Sequence, residues 1–223
     1  MTTPLTPPPT SAARPAFTRP VLDVVGDANT LALPAEVNGQ LRVQVRGQRN
    51  RIVVADTPRT VNLRINVRGD DCSIVVGERC VLIGDLQCLA SGAHIEVGAL
   101  TTMLGIRLLL HEAGRVQVGR DCMVSSDVTV HNSDVHSIVD VATGLRINPP
   151  ADVRIGDHVW IAQGTLILKG AQIGSDSIVG AHSVVTGTVP SGCVVGGQPA
   201  RVLRTGVTWD RRLLPWPGDT AAP

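Results

Sequence analysis

From Ile155 to Pro190 the sequence repeats every six residues, and this period constrains the fold more than any other feature. Residues on a helix face recur every three or four positions and those on a strand face every two, so six fits neither element alone. It fits a chain that coils around a prism, with one short strand in each hexad and the first residue of the hexad inside. That first residue is always β-branched and aliphatic: Ile155, Ile161, Ile167, Ile173, Val179 and Val185.

The repeat also extends upstream with a longer period. LRVQVRGQRNRIVV at residues 41–54 matches LRINVRGDDCSIVV at residues 63–76, which lie 22 positions later. In the C-terminal half, Ile-Gly recurs after 18 residues, or three hexads, so one coil has three faces. The extra residues of the upstream coils are expected in corner loops. The pattern predicts one all-β domain, a parallel β-helix over residues 21–204.

The flanking segments differ from this domain in composition. Residues 1–20 are rich in Pro and lack the apolar stretch of a signal peptide, so we predict a disordered tail. Residues 205–223 are predicted to form a cap and tail, in which Trp209 and Trp216 belong to a short helix or extended segment that closes the open end of the prism.

The repeat is interrupted once, by a polar segment at about residues 131–152 that contains two histidines and Pro149-Pro150. Loops that leave a rigid scaffold often carry function, and titratable groups are dense in this one. The alternative is a tolerated insertion without a role. We therefore predict a protruding loop that contributes to a site.

Bulk composition excludes several classes of partner. The net charge of +1 argues against nucleic acid and anionic membranes as partners, and no apolar run reaches transmembrane length. The five cysteines are an odd number and form no Cys-x-x-Cys pair. We interpret them as reduced, buried thiols and predict a cytoplasmic protein.

Several residues have side chains suited to chemistry. His136 in the loop could accept a proton from a hydroxyl or amine, and Asp134 two residues earlier could orient it; the alternative is a solvated histidine. Trp160 occupies the sixth position of a hexad, where it could line a cleft or pack on a neighbouring subunit. Arg201 and Arg204 follow the last hexads and could bind phosphate, or be a surface pair.

The segment from IGDHVWIAQG through VGAHSVVTGTV to GGQPARVLR resembles the signature of the hexapeptide-repeat acyltransferases. With HNSDVHSI and TGLRIN upstream, the chain is similar to the branch that O-acetylates capsular polysaccharides and sialic acid. The resemblance covers about residues 60–205. It implies a left-handed β-helix and a homotrimer with active sites between subunits. It also implies acetyl-CoA as the donor, with no metal required.

The resemblance also assigns roles to residues. It implies that His136 is the general base and that Trp160 lines the acceptor or acetyl side. The residues it implies for binding acetyl-CoA are Ala162, Gln163, Ala181 and Thr186 at the pantetheine and Arg201 and Arg204 at the phosphates. The sequence departs from the family pattern at Ala162 in WIA, in GQPAR, and at Gly187, where a lysine is frequent.

The function predicted from these residues is transfer of an acetyl group to a carbohydrate hydroxyl. Three alternatives stay open. A γ-class carbonic anhydrase has the same fold and binds metal through three histidines, and His94, His131 and His136 have a similar spacing. The acceptor could instead be a small molecule that is not a carbohydrate, or the chain could be a scaffold without activity.

Overall fold

The computed structural model describes residues 17–56 and 59–216, which form the predicted left-handed parallel β-helix of about eight turns. The predicted N-terminal tail lies outside the described residues except for its last four positions. Within the described ranges there is no helix with the length and hydropathy needed to cross a membrane.

Three faces make up each complete coil. Strands β12, β15, β18 and β21 stack on the first face, and β13, β16 and β19 on the second, whereas β4, β6, β8 and β10 each run through both. The strands of these two faces are β1 (Phe17–Thr18), β2 (Val21–Val25), β4 (Val37–Arg46), β6 (Thr60–Val67), β8 (Val81–Cys88), β10 (Thr102–Leu110), β12 (Met123–Val124), β13 (Val128–His131), β15 (Trp160–Ile161), β16 (Leu166–Ile167), β18 (Ile178–Val179), β19 (Val184–Val185), β21 (Cys193–Gly197) and β22 (Ala200–Thr205). The third face is an eight-stranded sheet of β3 (Thr30–Ala32), β5 (Arg51–Val54), β7 (Ser73–Val76), β9 (Ala93–Val97), β11 (Gly114–Val118), β14 (Val153–Ile155), β17 (Gln172–Ile173) and β20 (Thr188–Val189).

The hexad pattern is confirmed by burial. All six first-position residues from Ile155 to Val185 are at most 3% exposed. The fifth position holds a small residue or Val and is also buried, for example at Thr165, Ser177 and Ser183. The buried hydroxyls do not go unpaired, because Ser183 Oγ donates to the carbonyl of Gly180 at 2.6 Å and Thr165 Oγ1 to that of Ala162 at 2.8 Å. The prism interior is therefore a narrow aliphatic core with small side chains beside the corners.

The upstream coils do not have one strand on each face as the hexads do. In these coils a single bent strand runs through both the first and the second face. The bend lies at the first corner, between the first and second faces, where Gly84 and Gly105 have φ of +146° and +148°. A Cβ on Gly84 would overlap the carbonyl oxygen of Ile106 in the next coil. Glycine is required there because only it combines this backbone conformation with such close packing of coils.

The extra residues of the upstream coils do lie at a corner, the one between the second and third faces. Residues 89–92 form this turn in one coil and residues 111–113 in the next. The protruding loop, residues 132–152, leaves from the same corner in the following coil, which we call the loop corner. Strand pairing resumes beyond it, with Val116 opposite Val153.

The two ends of the solenoid are built differently. Strand β1 lies antiparallel to β4, and β2 then begins the first parallel coil at Val21. At the other end β22 turns back antiparallel to β21. Residues 206–216, the C-terminal strap, contain no helix and do not close the open end as predicted. They run back along the third corner, between the third and first faces, where Val207 N donates to Gly192 O and Arg211 reaches Thr102.

Candidate active site

The protruding loop is fixed to its corner by a set of buried polar contacts. Asn132 is fully buried and bridges two stretches of backbone: its Nδ2 donates to Glu112 O at 2.8 Å, and its Oδ1 accepts from His111 N at 3.1 Å. Arg146 donates to both carboxylate oxygens of Glu112, each at 2.7 Å, and Ser133 Oγ donates to the same carboxylate. The Arg146 guanidinium, with help from Ser133, lowers the pKa of Glu112 to about 2.

Asp134 makes different contacts from the predicted one to the imidazole. Its Oδ2 accepts from Lys169 Nζ at 2.5 Å and from Asn148 Nδ2 at 2.9 Å. These two donors, Lys169 first, lower the pKa of Asp134. Asn148 Nδ2 also donates to the backbone carbonyl of His136 at 2.8 Å. Asp134 is thus placed to hold the backbone that carries His136, and none of its described hydrogen bonds goes to the imidazole.

The backbone at His136 is strained. His136 N donates to Asp134 O at 2.7 Å, which closes a γ-turn around Val135, and Val135 has a φ of +66°. A β-branched residue rarely adopts this conformation, and strain of this kind persists only where neighbouring contacts impose it. The turn leaves the His136 side chain exposed, with no hydrogen-bond partner among the described residues. An imidazole held in this way is available to a hydroxyl brought in from outside the chain.

His131 lies at the base of the loop and is far less accessible. Its ring stacks on that of His111 with centroids 5.8 Å apart, and its Nδ1 is buried without a partner. Burial, followed by the charges of His111 and Arg107, lowers the pKa of His131. His131 therefore remains neutral near pH 7, and its partly buried ring packs against His111.

Trp160 lies on the first face, at the start of β15 and beside Met123 and Ile178 in the neighbouring strands. Its side chain points outward and is 36% exposed. The ring of Trp209 lies 6.3 Å from it at an angle of 52°. Sequence reasoning missed this second tryptophan, because Trp209 is placed by the C-terminal strap and not by the repeat.

The predicted donor-binding residues fall into two groups. Ala162, Gln163 and Ala181 lie at the first corner, where His182 N donates to Gln163 O at 2.8 Å. Thr186 lies at the loop corner, in a groove of about 240 Å³ that Gly187 and Arg201 also line. Arg201 is exposed and donates only to its neighbouring carbonyl, Ala200 O, and Arg204 lies exposed on the same strand, β22.

The fold thus separates the candidate residues into two sets. His136, Asp134 and Thr186 lie at the loop corner, whereas Trp160, Ala162, Gln163 and Ala181 lie on the first face and first corner. Arg201 lines the groove at Thr186 from β22. In a three-sided prism the loop corner is opposite the first face. The loop contacts given above are with its own corner, so one chain does not bring the two sets together.

The three histidines of the metal alternative are also separated. His94 lies on the third face, where its Nδ1 is 2.9 Å from Ser73 Oγ, while His131 packs against His111 at the loop corner. Within residues 17–56 and 59–216, no group of three His, Cys, Asp or Glu side chains is arranged to hold a metal ion.

The second face carries a polar groove that sequence reasoning did not single out. Outward residues of successive coils stack in register, with Arg42 beside Arg64, Asp85 and then Arg107. Arg64 pairs with Asp85 at 2.5 Å and 2.9 Å, and the amides of Gln44, Asn66 and Gln87 form a parallel row. The groove has a volume of about 420 Å³ in the upstream coils. Its rows continue through Arg107 and Thr129 toward His131 and the loop.

Comparison with known proteins agrees with this architecture. Residues 152–187 match a family model described as bacterial transferase hexapeptide (six repeats). The polysialic acid O-acetyltransferase of Neisseria meningitidis is 30% identical over 129 residues, which are 58% of this chain and 60% of that protein. The chain therefore spans less than two thirds of that relative.

Two solved structures share the fold over nearly the whole chain. The polySia-specific acetyltransferase NeuO is 29% identical and superposes with a TM-score of 0.81, covering 86% of this chain and 89% of that one. The polysialic acid O-acetyltransferase OatWY is 27% identical with a TM-score of 0.75, covering 87% and 93%.

Proposed function

We propose that the chain is a hexapeptide-repeat acyltransferase that transfers an acetyl group from acetyl-CoA to a carbohydrate hydroxyl, with His136 as general base. The observation that supports this proposal most strongly is that the His136 backbone is fixed while its side chain is exposed. Its backbone is held by Asn148 and by the strained turn at Val135, while its imidazole remains free. The relatives named above act on polysialic acid, which supports a carbohydrate acceptor.

The reaction needs one proton shuttle and no covalent enzyme intermediate. The imidazole of His136 accepts the hydroxyl proton as the hydroxyl oxygen attacks the thioester carbonyl, and a tetrahedral oxyanion forms. Donors aimed at that oxygen stabilise the charge, for which backbone N–H groups or the Trp160 indole are candidates. Collapse breaks the C–S bond, and the imidazolium returns its proton to the departing CoA thiolate.

Donor binding is proposed along the corners. The groove beside Thr186 and Arg201 offers a guanidinium for the phosphates of CoA. Small residues at Ala162 and Ala181 leave backbone groups accessible to the slender pantetheine arm, with Gln163 beside them. No metal is part of this mechanism.

The proposed assembly is a homotrimer with its sites between subunits. The support is the separation of the two residue sets, because His136 of one subunit can meet Trp160 only on another. A cyclic trimer repeats the same contact three times and closes it, which fits a three-sided prism.

The acceptor we propose is an elongated, acidic carbohydrate. The polar groove of the second face supports this, since Arg42, Arg64 and Arg107 lie in one outward row, with Asp85 between the last two, and lead toward the loop. Coils are spaced about 4.8 Å apart, so the row from Arg42 to Arg107 spans about 14 Å, enough for several sugar units. A cytoplasmic location is proposed because all five cysteines are buried, free thiols.

An acceptor screen tests the function. Purified protein, acetyl-CoA and a panel of acidic polysaccharides, neutral sugars and small alcohols or amines are incubated, and CoA thiol release is measured with product mass. We expect release that depends on an acidic polysaccharide and an increase of one acetyl group per modified hydroxyl. Stoichiometric zinc with CO2 hydration and no acetyl transfer would instead establish the carbonic anhydrase alternative.

A further inference from the structure

The C-terminal strap runs over successive coils on the third corner, and apart from the Arg212–Asp210 pair within it, its side chains contact residues far away in sequence. Thr208 Oγ1 donates to Asp176 Oδ1 at 3.4 Å, the Trp209 indole N–H to His158 O at 2.8 Å, and Arg211 to Asp121 Oδ1 at 3.0 Å. The segment is therefore docked onto the solenoid at several points and is not a free tail.

Trp209 is the centre of this docking. Its ring is parallel to that of His158, with centroids 4.3 Å apart and planes inclined by 7°, and the Arg211 guanidinium lies 5.4 Å from its centroid. Asp121 completes a closed ring of contacts, since it pairs with Arg211 and also lies 2.9 Å from His158 Nδ1. Trp209 is only 8% exposed, so its position is fixed from several sides.

The hydrogen bonds require His158 to carry both ring protons. Its Nε2 lies 3.0 Å from the carbonyl oxygen of Trp209, which can only accept, and its Nδ1 faces the Asp121 carboxylate. Both nitrogens must donate, so the ring is an imidazolium. The charged groups around it are Asp121, Asp176 and Asp210, with Arg211 as the opposing cation.

The titration of these groups agrees with that geometry. Burial lowers the pKa of His158, but the Trp209 carbonyl and the Asp121 carboxylate outweigh it and leave the pKa raised. Burial likewise opposes the ionised form of Asp121, and its bonds to His158 and Arg211 leave its pKa lowered.

This docked ring supports the residue proposed to line the active site. The Trp209 ring lies 6.3 Å from that of Trp160, which stays 36% exposed and so has surface left for a ligand. We propose that Trp209 is a positioning residue, held on the His158 imidazolium, that fixes the orientation of the Trp160 indole toward the acceptor. This inference rests on the proposed function for its effect on catalysis, although the positioning itself does not depend on it.

Kinetics test the catalytic consequence. In Trp209→Ala the Trp160 ring loses its support, so kcat with the acceptor is expected to fall about tenfold, while KM for acetyl-CoA stays within about twofold. Trp209→Phe keeps an aromatic ring at the position and should restore most of the turnover. Trp216→Ala is the matched control, because Trp216 lies on the same strap and is 72% exposed. An equal loss in Trp209→Phe and Trp209→Ala, or a loss in the control, would overturn the proposal.

Fluorescence tests the positioning without any acetyl transfer. In a Trp216→Phe background, the further changes Trp209→Phe and Trp209→Ala each leave Trp160 as the only tryptophan. Acrylamide should quench Trp160 more strongly in the Trp209→Ala protein, and identical quenching in the two would reject the inference. Failure of transfer on every acceptor would reject the proposed function alone, because the quenching comparison would still stand.

Discussion

Lys169, the only lysine of the chain, donates to Asp134 Oδ2 at 2.5 Å across 35 residues of sequence. Its Nζ also donates to Pro149 O at 3.0 Å, so one ammonium group holds both the start and the end of the protruding loop. The pair is only partly shielded from solvent, since the Lys169 side chain is 23% exposed and that of Asp134 37%. A residue inside the repeat therefore fixes the loop that carries His136.

Removing this ammonium should loosen the loop without unfolding the solenoid. For Lys169→Met, which keeps much of the aliphatic stem, we expect kcat to fall about tenfold, because His136 is no longer held in one place. Lys169→Arg should be intermediate. Amide hydrogen exchange of residues 132–152 should rise in Lys169→Met and remain unchanged in the third-face strands. Wild-type exchange in the loop of Lys169→Met would contradict this account.

His136→Ala should reduce turnover by about 10²–10⁴-fold, the usual contribution of a general base. Binding of acetyl-CoA, measured by calorimetry, should persist because the base contacts the acceptor hydroxyl and not the phosphates. His131→Ala is the matched control, since His131 is packed on His111 and should affect turnover far less. If both variants lost turnover to the same extent and the wild-type protein contained bound zinc, the carbonic anhydrase alternative would be favoured.

Arg201→Ala should weaken acetyl-CoA binding about tenfold, since a charge-assisted hydrogen bond contributes about 1.5–3 kcal/mol. Arg212→Ala removes a similar surface guanidinium at a distance from the groove and should not change affinity. Gly187→Lys is the converse experiment, because nothing lies within 4 Å of a Cβ at that position. The added ammonium beside Arg201 should tighten binding several-fold, and weaker binding would argue against phosphates in this groove.

Protonation of Glu112 at low pH should weaken its ion pair with Arg146 and so loosen the protruding loop. The pKa of Glu112 is lowered to about 2 in the folded chain from the usual 4.5, so its stabilising contribution is present above about pH 4.5 and is lost as the pH falls toward 2. The protection of loop amides, measured relative to their intrinsic exchange rates at each pH, should therefore fall over that interval. In Glu112→Gln the protection should already be lower at neutral pH and should not fall further between pH 4.5 and 2. An acid-dependent change of the same size in both proteins would contradict the assignment.

Gly84→Ala should destabilise the upstream coils strongly. The added Cβ overlaps the backbone of Ile106, and alanine disfavours a φ of +146°, so we expect a loss of about 3 kcal/mol or more. In a chain of this size that corresponds to about 6–12 °C in Tm, measurable by calorimetry. Gly187→Ala is the control and should leave Tm unchanged. Equal Tm values for wild type and Gly84→Ala would show that the coils can separate at this corner.

The inward-facing residues of the β-helix could be predicted because their positions follow the six-residue repeat. Ile161, Ile167 and Val179 are buried as their hexad positions predict, and the loop was located by the interruption of that period. Lys169 is the only lysine in the sequence, but nothing in the sequence indicates its partner. Asp134 is two residues from His136, which suggested contact with the imidazole, whereas its hydrogen bonds go to Lys169 and Asn148.

The C-terminal strap could not be predicted from the same pattern. Trp209 and His158 are 51 residues apart, and Arg211 and Thr102 are 109 apart, with no repeat that relates them. Their association depends on ring stacking and on the hydrogen bonds of the His158 imidazolium. Neither interaction produces a periodic pattern in the sequence. The same holds for the outward row on the second face, which is formed by Arg42, Arg64, Asp85 and Arg107. Its 21- and 22-residue spacing indicates the coil but not its ligand.

On the third face, β11 and β14 pair in regular parallel register, with Val116 opposite Val153, although the protruding loop precedes β14. The scaffold therefore tolerates change in length at this one corner, while each face stays bound to the coil before it. Loops from related chains could be exchanged between the residues that flank this corner without redesigning the interior. Such chimaeras would allow acceptor preference to be changed by replacing the loop alone.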